Sequence, residues 1–209
     1  MEYSDLPIRL SEALSGDLPG FEAHKIMGVA GHYRRQQPAS DCSKAGVLAL
    51  FYHLNGSWKL IFIRRSNRYQ DDRHKGQIGF PGGKYEEQDE NLMKTALREA
   101  NEEIGVEPNR IDVLGKLSKL YIPVSNFLVH PYVGVLDGVP QFRLQPTEVD
   151  DVLTPDFHIF FDKKNMKTTD IPIDIGIYLR NVPYFDINGQ VLWGATAMIL
   201  SELLWVLES

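Results

Sequence analysis

Three glutamates lie within one turn of a segment with helical spacing. Glu102 and Glu103 follow Glu99 by three and four residues, so on a helix the three carboxylates point to roughly the same side. Like charges at that spacing repel each other and destabilise a helix unless a cation compensates them. Carboxylate groups of this kind suit Mg²⁺ or Mn²⁺, hard cations that proteins hold with a few carboxylates and substrate phosphates. The glutamates alone leave open the alternative of a solvated acidic helix face.

The helix that carries the glutamates is predicted to begin near Asp89 or Asn91, because either side chain can cap it. It is predicted to end at Ile104, with Gly105 in the left-handed conformation that closes many helices. Apolar residues at four-residue spacing form its buried stripe: Leu92, Ala96, Ala100 and Ile104.

A glycine turn precedes this helix, and an arginine lies within it. Gly82 and Gly83 permit a sharp backbone turn, so a carbonyl there can approach the same cation. Arg98 can pair with Glu102 one turn further along, or fold back toward the acidic residues at 89–90. An ordinary tight turn and an ordinary surface ion pair are the alternatives for these residues.

Residues 76–106 resemble the Nudix box. That box consists of a glycine, five residues, an acid, seven residues and then Arg-Glu-apolar-x-Glu-Glu-x-Gly-apolar. Gly83 and Asp89 fit the first spacing, and residues 98–106 fit the second half at every defined position. Eight residues rather than seven separate Asp89 from Arg98; if Glu90 is the acid instead, the glycine gap grows to six. In either alignment the loop before the helix has one extra residue.

The resemblance implies hydrolysis of a nucleoside diphosphate linked to another moiety, with the metal binding the diphosphate and activating a water. It also implies an α/β/α sandwich around a mixed β-sheet. The order of the predicted elements agrees with this, because strands and helices alternate without a regular βα repeat and therefore indicate an α+β protein. Arg98 would orient the carboxylates that bind the metal.

The same resemblance assigns roles to individual residues. Glu99 and Glu103 would be the principal metal ligands, with Glu102 joining them when more than one ion binds. The Gly82 carbonyl would complete the coordination shell. Glu148, which follows the last core strand, is a candidate for the general base or for an extra metal ligand. Glu102 is the rival candidate for the base.

The lengthened loop, with Asp at the acid position, is similar to the coenzyme A pyrophosphatase branch of the family. That branch has an apolar strand ending in Arg-Ser, a short basic loop, and His-x-Gly-Gln-apolar-x-Phe-Pro-Gly-Gly. Residues 60–66, 67–73 and 74–83 match these parts in turn. The loop is longer than the commonest version, and Asp72 stands where an arginine is usual. The expected products are 3′,5′-ADP and 4′-phosphopantetheine.

Basic residues crowd this region of a chain whose net charge is −6. The overall charge argues against a nucleic-acid-binding protein, whereas the local basicity favours capture of a phosphorylated small molecule. A solvated charged loop is the alternative. The candidates for contact with the diphosphate or a 3′-phosphate are Arg64, Arg65, Arg73 and Lys75, and His74 is a further candidate for substrate contact.

Two other functions remain open at this stage. One is a Nudix hydrolase of ADP-ribose, a dinucleotide or a nucleoside triphosphate. The other is a nucleotide-binding module without turnover, which the retention of Glu99, Glu102 and Glu103 argues against because such modules are expected to lose box carboxylates.

The length of 209 residues predicts one domain, with an amino-terminal helical extension at 1–30 and a core at 45–209. No apolar run is long enough for a transmembrane helix, and no signal pattern begins the chain. Cys42 is the single cysteine, which excludes an internal disulfide and suits a reducing cytoplasm. The apolar carboxy-terminal helix, predicted at Trp193–Leu207, packs either internally or against a second copy in a homodimer.

Overall fold

The computed structural model describes residues 5–29, 36–66, 76–174 and 176–208. Within these ranges the α-helices are α1 (Leu6–Ser15), α2 (Phe21–His24), α3 (Leu92–Ile104) and α4 (Gly194–Glu208). The strands are β1 (Ser43–Leu54), β2 (Ser57–Leu60), β3 (Phe62–Arg65), β4 (Ile78–Gly79), β5 (Gly82–Lys84), β6 (Ile111–Lys116), β7 (Leu120–Ile122), β8 (Phe127–Leu136), β9 (Val149–Leu153), β10 (Met166–Asp174), β11 (Ile177–Ile187) and β12 (Gln190–Trp193). Short 3₁₀ helices span Pro108–Arg110, Phe157–Phe161 and Lys163–Asn165.

The largest sheet is mixed. Its order is β2-β1-β8-β6, with β5 also pairing with β1 and β7 with β8. The central pair, β1 and β8, is parallel, and the other pairs are antiparallel. Because β1 is central, its residues are buried on both faces: Leu48 and Leu50 belong to one core, and Ala49 and Phe51 to the other.

Helices cover both faces of this sheet. The face of Leu48 and Leu50 packs against α3 through its apolar stripe, whereas the opposite face packs against α1 and α4. These layers confirm the predicted α+β sandwich around a mixed sheet. No helix in the described ranges is both long and apolar enough to cross a membrane.

A small sheet beside the large one holds β3 between β4 and β9, both antiparallel to it. This arrangement brings three separate parts of the chain together. The arginines that end β3, the Phe80–Gly83 turn that follows β4 and the residues that precede β9 all lie at this place. The predicted functional segments therefore converge here. A third sheet, β10-β11-β12, is formed by the carboxy-terminal part of the chain.

The amino- and carboxy-terminal helical segments are joined by a buried polar pair. The Nε2 atom of His24 lies 2.9 Å from Glu202 of α4, and Glu202 also accepts hydrogen bonds from the backbone N–H groups of Gly20 (3.0 Å) and Ser118 (3.1 Å). Burial acts to raise the pKa of Glu202, but these hydrogen bonds bring it below its ordinary value. The pair fixes α2 against α4.

Local sequence signals predicted the β1–β2 hairpin correctly but failed at other elements. Asn55 and Gly56 adopt the positive φ angles of 51° and 81° that this turn requires. The sequence also predicts a short strand at 141–144, after the turn at 138–140, and this prediction is wrong. The Arg143 N–H donates instead to the Ile104 carbonyl, so the segment satisfies the end of α3 rather than joining a sheet.

The carboxy-terminal sheet was also predicted incompletely. The sequence predicts two strands in this part of the chain, at 175–179 and 182–185. Residues 177–187 form one strand instead, and residue 175 lies outside the described residues. Two of its strands, β10 and β12, were missed. Pro172 lowers the strand signal of β10. The proline is tolerated in this strand because β10 is at the edge of its sheet.

Candidate metal centre

The ends of α3 are fixed by local chemistry. The Asn91 side chain accepts hydrogen bonds from the N–H groups of Met93 (3.0 Å) and Lys94 (3.1 Å), so Asn91 caps the helix. At the other end Gly105 adopts the left-handed conformation, with φ 72°. These caps match the sequence prediction, which named both residues.

Three carboxylates meet beside α3. Glu99, Glu103 and Glu148 each place one oxygen within 4.8 Å of the others. Glu99 and Glu103 lie one turn apart on α3, whereas Glu148 comes from the segment before β9. The Glu148 carbonyl accepts a 2.8 Å hydrogen bond from the Ser66 N–H, which ties this segment to the end of β3.

Two glycines allow α3 to lie close enough to the sheet for this arrangement. A Cβ atom on Gly46 of β1 would stand 2.2 Å from the Leu92 carbonyl oxygen at the start of α3. A Cβ atom on Gly83 of β5 would stand 2.5–2.6 Å from the carboxylate atoms of Glu99. Any larger residue at either position would therefore displace the helix or its carboxylate.

The cluster is electrostatically unfavourable without a cation. Glu103 is 1% exposed, and burial raises its pKa to about 8, although the Gly82 N–H (2.9 Å) and the charge of Arg65 act in the opposite direction. Burial also raises the pKa of Glu99. Glu148 adds to both effects through its negative charge. A divalent cation would remove this penalty, so the donor set fits a hard metal ion with oxygen ligands.

Arg98 is held beside this cluster by a buried acid. Its Nε and Nη2 atoms donate to the two oxygens of Asp89 at 2.8 and 3.0 Å, and the Thr95 hydroxyl (2.9 Å) and the Glu86 N–H (3.1 Å) donate to the same carboxylate. The Arg98 guanidinium holds the pKa of Asp89 well below its usual range. The Nη1 atom of Arg98 then lies 3.0 Å from Glu99. Arg98 therefore fixes one carboxylate of the cluster.

Two predicted metal-binding residues have other contacts in this structure. Glu102 lies outside the group of three carboxylates; its side chain is 52% exposed and pairs with Arg98 at 3.0 Å. The Gly82 N–H donates a hydrogen bond to the Glu103 carboxylate, whereas the prediction concerned the Gly82 carbonyl. The roles of both residues stay predictions.

The predicted substrate-binding residues divide into two sets. Arg64 and Arg65 are adjacent on β3. The charge of Arg65 acts to lower the pKa of Glu103. The Nη2 atom of Arg64 instead donates a hydrogen bond to Gln190 of β12. The remaining candidates, Arg73, His74 and Lys75, lie outside the described residues. Sequence reasoning did not find Gln190, because it is 126 positions from Arg64 and belongs to no motif.

The family model described as the NUDIX domain matches residues 43–170 of this chain. A relative named as an uncharacterized Nudix hydrolase, NudL, from Pectobacterium atrosepticum is 36% identical over 146 residues, covering 69% of this chain and 72% of the relative. Nudix hydrolase 22, chloroplastic, from Arabidopsis thaliana is 35% identical over 164 residues. That alignment covers 75% of this chain but only 53% of the plant protein.

Solved structures of similar shape were also found. The MutT NUDIX hydrolase of Burkholderia pseudomallei has a TM-score of 0.46 and 17% identity, over 77% of this chain and 96% of that one. The NUDIX domain of Shewanella oneidensis NrtR, in complex with ADP ribose, has a TM-score of 0.46 and 20% identity, over 68% and 86% of the two chains.

Proposed function

The chain belongs to the Nudix family of hydrolases, which cleave diphosphate bonds, and from that premise we propose that its substrate is coenzyme A or a coenzyme A derivative. Cleavage of the diphosphate would give 3′,5′-ADP and 4′-phosphopantetheine or its acyl form. The observation that carries the hydrolytic part is the convergence of Glu99, Glu103 and Glu148. The lengthened box loop and the run at 74–83 support the coenzyme A part.

Glu99 and Glu103 would hold the metal ion, and Glu148 is the third carboxylate that the fold brings to the same place. When bound, a divalent cation neutralises a diphosphate and lowers the pKa of a water molecule. Both Mg²⁺ and Mn²⁺ accept an all-oxygen set of ligands. We propose Glu102 as an additional ligand when a second ion binds, and the Gly82 carbonyl as the group that completes the coordination shell.

The general base is proposed to be Glu148. Its side chain is exposed at the border of the cluster, so it can accept a proton from a water molecule and release it to solvent. The rival, Glu102, lies outside the group of three carboxylates and is held in an ion pair with Arg98. Arg98 is proposed to keep Glu99 oriented through the contact described above.

The basic residues would bind the substrate's phosphates. The charge of Arg65 lowers the pKa of Glu103, which supports Arg65 as a residue that would contact the diphosphate beside the metal centre. Arg73, His74 and Lys75 stay candidates from sequence, in the loop between β3 and β4.

ADP-ribose, a dinucleotide or another nucleoside diphosphate derivative is the second candidate substrate. Family membership favours it as strongly as coenzyme A, because the metal centre acts on the diphosphate that all of these molecules share. We further propose that residues 1–209 form a single domain and that the protein works in a reducing compartment such as the cytoplasm, since Cys42 is its single cysteine.

Product analysis by chromatography tests the proposal. The protein is incubated with coenzyme A, ADP-ribose, NADH and a diadenosine polyphosphate, each with Mg²⁺, with Mn²⁺ and with chelator. We expect metal-dependent release of 3′,5′-ADP from coenzyme A, faster than cleavage of the others. Faster cleavage of ADP-ribose or a dinucleotide would retain the metal chemistry and reject coenzyme A. Cleavage that persists in chelator would reject the metal centre.

A further inference from the structure

The two arginines that end β3 point to opposite faces of their sheet. Successive side chains of a strand alternate between faces. Phe62 belongs to the core that includes α4, and Ile63 to the core beneath α3. By this alternation Arg65 lies on the side of the metal centre, which agrees with the effect of its charge in lowering the pKa of Glu103. Arg64 lies on the other side, toward the carboxy-terminal sheet.

Arg64 is held there by a neutral group. Its Nη2 atom donates to the Oε1 atom of Gln190, the first residue of β12. The turn before Gln190 is tight, since Asn188 and Gly189 have φ angles of 52° and 87°, and Gln190 pairs with Ile187 across it. The acceptor is therefore carried by an ordered hairpin and not by a free side chain on a loop.

The charge of Arg64 is not neutralised by the described residues. Asp151 lies directly opposite Arg64 in β9, but its carboxylate accepts a hydrogen bond from the Val152 N–H (2.9 Å). Within the described ranges no carboxylate forms an ion pair with Arg64. A guanidinium has five N–H donors, and Gln190 takes one of them, so most of the Arg64 donors have no partner among the described residues and can meet an anion.

We propose that Gln190 is a positioning residue that orients Arg64 toward a phosphomonoester of the substrate, separate from the diphosphate. This inference rests on the proposed function, because coenzyme A carries such a group at its 3′ position. A glutamine suits this role because it fixes the direction of the guanidinium without competing for its charge. A carboxylate at the same position would hold Arg64 more firmly but would repel the phosphate.

Steady-state kinetics with two substrates provide the test. Coenzyme A and dephospho-coenzyme A share the diphosphate and differ by the 3′-phosphate. We expect Gln190→Ala to raise KM for coenzyme A by about tenfold, the loss of roughly one hydrogen bond to a charged group, with kcat nearly unchanged. Its KM for dephospho-coenzyme A should stay within about twofold of wild type, which is close to the ordinary context dependence of such a contact.

Two further variants separate positioning from a structural role. Gln190→Glu keeps an acceptor for Arg64, so a structural role predicts normal kinetics, whereas the proposed role predicts a raised KM for coenzyme A. In an Arg64→Ala background, Gln190→Ala should have no additional effect, since the two residues act as one unit. Gln141→Ala, an exposed glutamine outside the strands and helices, is the matched control, and thermal melting checks that every variant is folded.

The outcomes distinguish this inference from the proposed function. If wild type cleaves coenzyme A but Gln190→Ala changes the two substrates equally, or changes neither, the positioning role is wrong. Additive effects of the two substitutions would also overturn it. If wild type cleaves neither coenzyme A nor dephospho-coenzyme A, the proposed substrate is wrong, and the assignment of Arg64 to its phosphomonoester is overturned with it.

Discussion

Replacing Glu103 by Gln separates the charge of the cluster from its packing. Glutamine has nearly the size of the acid, and its carbonyl oxygen can still accept the hydrogen bond from Gly82. The substitution therefore removes a metal ligand without opening a cavity. We expect turnover to fall by at least about 100-fold, the upper part of the range seen when groups around a metal are lost, while the fold is retained.

The metal-free protein gives a second and independent expectation from the same variant. The pKa of Glu103 is raised from 4.5 to about 8, so the folded state holds a proton that the unfolded state has released. The stability linked to this proton is fully present below pH 4.5 and is lost as pH rises through about 8. In this window the free energy of unfolding falls by about 1.4 kcal/mol for each unit of pH. The loss between pH 5 and pH 7.5 is therefore about 3 kcal/mol.

Glutamine does not titrate, so the variant should lack this dependence. Urea denaturation of wild type and Glu103→Gln in chelator, from pH 5 to pH 8.5, measures the difference in the free energy of unfolding. The variant is expected to become the more stable protein toward alkaline pH. Glu107→Gln is the control for the same chemical change, because Glu107 is an exposed residue beyond the end of α3.

Two results would refute this reasoning. Parallel pH profiles for wild type and Glu103→Gln would show that Glu103 is ionised in the metal-free protein, against the burial argument. Near-normal turnover of the variant with Mg²⁺ or Mn²⁺ would show that Glu103 does not hold the metal. Because the first result concerns burial and the second concerns ligation, either conclusion can fail without the other.

Three further substitutions test the parts that support the site. Gly46→Ala should destabilise the protein by about 1–3 kcal/mol in urea denaturation, because its Cβ would overlap the Leu92 carbonyl and force α3 outward. Asp89→Asn should cost about 3 kcal/mol by the same measurement, since a buried ion pair loses one partner, and should lower kcat more than it raises KM. Glu202→Gln should lower the melting temperature at pH 7 by weakening the bond to His24. Because the pKa of Glu202 is lowered, the wild-type advantage should shrink as pH falls through that pKa.

The sequence alone predicted the features that depend on neighbouring residues. The 3.6-residue period of a helix places Glu99 and Glu103 on one face wherever the helix lies, and the glycine after Ile104 ends it. The Asn55-Gly56 turn is equally local. Family resemblance added the α/β/α sandwich, which the layers around the mixed sheet confirm.

The tertiary structure decided the contacts between distant parts of the chain. Glu148 reaches the two helical glutamates because the segment before β9 is bonded to the end of β3. Arg64 and Arg65 were equivalent as sequence, and only the burial of their neighbours shows which one faces the metal centre. Gln190 meets Arg64 through packing of a hairpin that no motif predicts. Such contacts depend on how strands pair and on which face is buried, and these are properties of the whole fold rather than of any short segment.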